Sequence, residues 1–139
     1  MNRDKVTERL TSDDGQSRNE AALKIMDSRP TWGLELLVSA VLNPRNHKNY
    51  GTLVYAMSAY DCSGHTDTLV KLMSRNNFEV RNTAADILVE QWVSFQALQR
   101  EAVLTQIEQV VSQTASTEEA DFFMSVRDEL IKRTSNQSS

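Results

Sequence analysis

Apolar residues recur at helical spacing through most of the chain. Ala22, Leu23, Ile25 and Met26 mark one stripe. Leu34, Leu37, Val38, Val41 and Leu42 mark a second, at i, i+3, i+4, i+7 and i+8. Ser17-Arg18-Asn19-Glu20 has the form of a capping box and predicts the start of the first helix, which Pro30 ends. Trp32 to Asn43 reads as the returning helix, stopped by Pro44. A second hairpin is predicted from about His47 to Tyr60 and from His65 to Arg75, around the turn Asp61-Cys62-Ser63-Gly64. A third opens at Phe78, runs to about Gln91, and has a long partner reaching about Gln113. Ser116-Thr117-Glu118-Glu119 is a further capping box, opening a last helix with Phe122, Phe123, Val126, Leu130 and Ile131. Alternation is never sustained for a full strand, so the pattern predicts an all-α protein.

These stripes echo one another at a shift of 31 residues. Met26 falls on Met57, Gly33 on Gly64, Asn46 on Asn77 and Thr52 on Thr83. Leu23, Val54 and Ala85 align, as do Met26, Met57 and Leu88, while Val38, Val41 and Leu42 fall on Leu69, Leu72 and Met73. A period in the thirties with helical spacing inside each copy indicates stacked helical hairpins that share a core. In the long partner, Val103, Ile107, Val110 and Val111 match Leu34, Val38, Val41 and Leu42 if about seven residues are inserted near residues 93–100. Residues 1–13 read as a flexible segment or short helix, 14–133 as the helical domain and 134–139 as a disordered tail.

Leu69 to Leu88 resembles a HEAT repeat. It holds a Leu-rich helix end, a turn with Asn77, then Val80-Arg81, Ala84-Ala85 and Leu88. Asn49-Tyr50 and Arg18-Asn19 stand where Val80-Arg81 stand, so the Val-Arg signature occurs once. The resemblance, to HEAT-like and phycobilin-lyase-like repeats of small bacterial proteins, covers roughly residues 14–113. It implies a right-handed α-solenoid of antiparallel helical hairpins, about three repeats plus a terminal helix. It is nearly silent on activity. On physical grounds Ala22, Ala84 and Ala85 allow close helix approach, and Arg81 is expected to reach carbonyls or carboxylates of the next copy.

Composition removes several classes of function. The chain has 139 residues, a net charge of −4 and one cysteine. The charge argues against general binding of a phosphate backbone, so nucleic acid is not an expected partner. A lone Cys62 excludes an intramolecular disulfide framework and a multi-cysteine zinc site. No stretch approaches the roughly 18 to 20 apolar residues of a membrane span, and the first residues carry no apolar run. A cytoplasmic location without membrane association is the expectation.

Aligning the copies also predicts exposure. Tyr55 aligns with Lys24 and Asp86, and should therefore face water as a potential interface anchor. Trp32 aligns with Ser63 and is a second aromatic candidate, whereas Trp92 beside the register break is assigned to the core. The resemblance implies that the second helices of the hairpins line a concave face, which nominates Glu35, Ser39, Thr66 and Lys71 as partner contacts. Arg45, Lys48 and Arg75 collect on an inter-repeat edge where they could meet an acidic partner.

Asp61, Cys62, His65 and Asp67 lack the spacing of a metal site, and Cys62 with His65 lacks a third orienting group. Glu118, Glu119 and Asp121 suit a helix N-terminus better than a catalytic carboxylate pair. No catalytic residue, metal or cofactor is therefore assigned.

The expected function is a non-catalytic protein–protein interaction module, an adaptor or inhibitor. A bacterial immunity-type protein that blocks a toxin is the narrower form. The alternative is a HEAT-like enzyme or enzyme subunit of the DNA glycosylase or phycobilin lyase type. A homodimer is left open, because the helix from Thr117 has no evident return partner.

Overall fold

The computed structural model describes residues 1–43 and 50–137, and the described residues are mostly helical, with no strand among them. The predicted stop at Pro44, the predicted start at His47 and the cations Arg45 and Lys48 lie outside them. The chain divides into two compact units, Met1–Asp61 and Cys62–Ser139.

The first unit holds α1 (Arg3–Leu10), α2 (Gly15–Ser28), α3 (Gly33–Leu42) and α4 (Gly51–Met57). The start of the chain is ordered as helix α1. Asn2 Oδ1 caps it by accepting from the Asp4 and Lys5 N–H groups. Val6 and Leu10, one turn apart, bury its inner side against α2 and α3.

The start of α2 corrects the sequence reading. Its cap is Asp14, whose carboxylate accepts from Gln16 N–H, and not Ser17. The reason is Arg18, which is buried and donates from Nη1 to the Ser12 carbonyl at 2.8 Å. Its place on the core face, with Ala21, Ala22 and Ile25 at i+3, i+4 and i+7, extends the helix by a turn. That face leaves Leu23 one step off the stripe and 47% exposed, unlike its aligned partners Val54 and Ala85. Leu42, at the end of α3, is likewise exposed although the aligned Met73 is buried.

Between α2 and α3 the chain turns tightly. Arg29 takes a left-handed conformation with φ 48° and closes α2 through its N–H to the Ile25 carbonyl. The Pro30 carbonyl then accepts twice, from Gly33 N–H at 2.9 Å and from Tyr60 Oη at 2.8 Å.

The second unit holds α5 (Thr66–Met73), α6 (Phe78–Gln91), α7 (Ala97–Gln113) and α8 (Thr117–Gln137). The predicted bounds of α6 match the structure. Asn77 caps it, accepting from Val80 N–H at 3.1 Å. Helix α5 packs on α6 and α7, and α8 packs on α6 and α7. Both helical pairs therefore share one core, which includes Leu69, Leu72, Leu88, Ile107, Phe123 and Leu130. Arg81 lies with its guanidinium 5.6 Å from the centre of the Phe122 ring, so the contact it makes is a cation–π contact and not the expected oxygen bond.

The register break is a 3-10 turn, Trp92–Ser94, followed by the first turn of α7. Arg100 ties the two together, donating to the Trp92 and Val93 carbonyls at 3.1 and 2.9 Å. Trp92 is fully buried, as expected, and its indole N–H donates to Thr134 Oγ1 at 2.6 Å. That bond anchors the end of α8, whose helix runs to Gln137, and the last two residues of the expected tail, 138 and 139, lie outside the described residues. Helix α8 also finds its return partners inside this unit, with Phe123, Val126 and Leu130 buried and Met124 and Ile131 left on its outer side.

Candidate functional site

A groove runs between α5 and α7 in the second unit. Its first wall follows from the pattern of α5. Thr68, Leu69, Val70, Leu72 and Met73 are buried, which turns Asp67, Lys71 and Ser74 outward. Asp67 and Lys71 stand four residues apart and so share one face of α5, about 6 Å apart along the axis. Arg75 follows the helix end, held by its N–H to the Leu72 carbonyl at 3.2 Å. Among the described residues neither Lys71 nor Arg75 forms an ion pair. The wall therefore carries a local charge of about +1 in a chain whose net charge is −4.

The second wall comes from α7. Val103 and Ile107 are its buried residues, and Gln106, Gln109 and Gln113 follow the adjacent face at i, i+3 and i+7. Val70 and Val110 supply apolar lining, and the groove encloses about 470 Å³. Gln106 is distinctive. In the repeat register it occupies the position of Leu37 and Thr68, both buried. Its amide oxygen is shut off from solvent and accepts no hydrogen bond. An amide oxygen closed off without a donor costs the fold free energy of order 1 to 3 kcal/mol.

Chemically, the groove offers two cations, a row of amides able both to donate and to accept, and a small apolar lining. That set suits recognition of a polar chain, because an amide can meet a peptide group on either side.

The residues nominated from sequence are divided between the two units. Lys71 lines the groove, and Thr66, at the first turn of α5, is half-buried. Trp32, Glu35, Ser39 and Tyr55 belong to the first unit. Tyr55 on α4 is 52% exposed, as the register predicts. Trp32 is half-buried at the start of α3. Glu35 is exposed and lies 3.9 Å from Arg3, a pair too open to contribute much. Ser39 lines a small pocket of about 90 Å³ between α1 and α3, with Thr7 and Leu36. Of the three edge cations, Arg75 lines the groove.

Sequence reasoning missed Gln106, Gln109, Gln113, Val70 and Val110. The signal was available: three glutamines at i, i+3 and i+7 beside an apolar stripe, with one in a core register position.

Cys62 is buried in the turn before α5, and its N–H donates to Gln91 Oε1 at 2.8 Å. His65 ends the 3-10 turn Ser63–His65 and is half-buried, as its alignment with Leu34 suggests. Among the described residues no group of three or more His, Cys, Asp or Glu side chains could hold a metal ion. No described helix is long and apolar enough to cross a membrane. Comparison of the chain with protein-family models, with curated proteins and with solved structures finds no match.

Proposed function

We propose that this protein is a non-catalytic protein-binding module, an adaptor or inhibitor, built as a HEAT-like right-handed α-solenoid of about three repeats and a terminal helix. The observation that carries the reading is the α5/α7 groove. Among the described residues its two cations, Lys71 and Arg75, form no ion pair, and the amides of Gln109 and Gln113 line it beside them. Both cations are left able to meet the carboxylates of a partner. Exposed Tyr55 adds an aromatic of the kind that anchors interfaces.

The proposal places the protein in the cytoplasm. Its narrowest form is a bacterial immunity-type inhibitor. A second copy of the chain is an alternative partner, which light scattering on the purified protein distinguishes.

The test is a tagged pull-down from native lysate with mass spectrometry, comparing the wild type with Tyr55→Ala and Trp32→Ala. A single stoichiometric partner that is lost in either variant is the expected result. Absence of any partner under all conditions would sink the reading and turn attention to small-molecule and DNA screens.

A further inference from the structure

We draw no further inference here: the strongest candidate, the strip of exposed Met124 and Ile131 two turns apart on the outer side of α8, is an apolar face for which nothing in the structure shows what covers it.

Discussion

Gly33 tests the packing logic of the first unit most directly. A Cβ at this position would fall on Tyr60 Oη, 2.7 Å from Ile25 Cγ2 and 2.9 Å from Tyr60 Cζ. None of these atoms can yield without loss. Tyr60 Oη is held by its bond to the Pro30 carbonyl at 2.8 Å, and Ile25 is fully buried on α2. Releasing the tyrosine costs about 0.5 to 1.5 kcal/mol of hydrogen bonding. Forcing a methyl into the packed turn costs about 1 to 3 kcal/mol. The gain in helix propensity offsets at most about 1 kcal/mol. Gly33→Ala should therefore destabilise the protein by about 1 to 3 kcal/mol.

Urea titration followed at 222 nm reads this as a midpoint lowered by about 1 M, for a slope of about 2 kcal/mol/M. Tyr60→Phe removes the oxygen but leaves the ring carbon and Ile25, so Gly33→Ala in that background should be partly rescued. A coupling of at least about 0.5 kcal/mol is expected. The aligned Gly64 is the internal control, because a Cβ there meets nothing within 4 Å and its φ is negative. Gly64→Ala should be neutral or stabilising by up to about 1 kcal/mol. A Gly33→Ala midpoint at or above the wild type, or strict additivity with Tyr60→Phe, would refute the reasoning.

Tyr60 also sets an alkaline limit. Burial raises its ionisation above the ordinary value of 10.0, and nearby Arg29 opposes the shift. Above pH 10 the unfolded chain loses this proton first, so the stabilisation is complete below that pH and declines as pH rises through the folded value. Urea midpoints between pH 9 and 11 should fall less in Tyr60→Phe than in the wild type. Thr134→Ala leaves the buried Trp92 N–H without its acceptor and should cost about 1 to 3 kcal/mol. Thr134→Ser should recover most of that loss in a thermal melt, and equal melts for all three proteins would count against the anchor. Leu72→Ala, at a fully buried position, should cost about 2 to 5 kcal/mol, while Tyr55→Ala should stay within about 0.5 kcal/mol. Unfolding of the Tyr55 variant would show that α4 presents a different face.

What the sequence made legible was decided by how strongly each face is marked. Helix α6 could be bounded correctly because Asn77 is a strong cap and the apolar positions leave one register. Helix α2 could not, since its first core position is Arg18, and a charged residue hides a stripe from any hydropathy pattern. The guanidinium is tolerated there because it donates to the Ser12 carbonyl. The end of α8 was hidden in the same way: Thr134 is polar, yet its hydroxyl meets an indole N–H 42 residues earlier, a pairing no local window contains.

The groove combines both difficulties. Lys71 and Arg75 were visible as cations, but each was assigned to a different surface, because the wall that joins them to α7 exists only in three dimensions. Gln106 was passed over as one polar residue among many on a long helix. Only when the register places it on buried Leu37 does its polarity become a departure. A polar group in a core position with no donor weakens the fold that contains it. Leucine would serve packing better at that site.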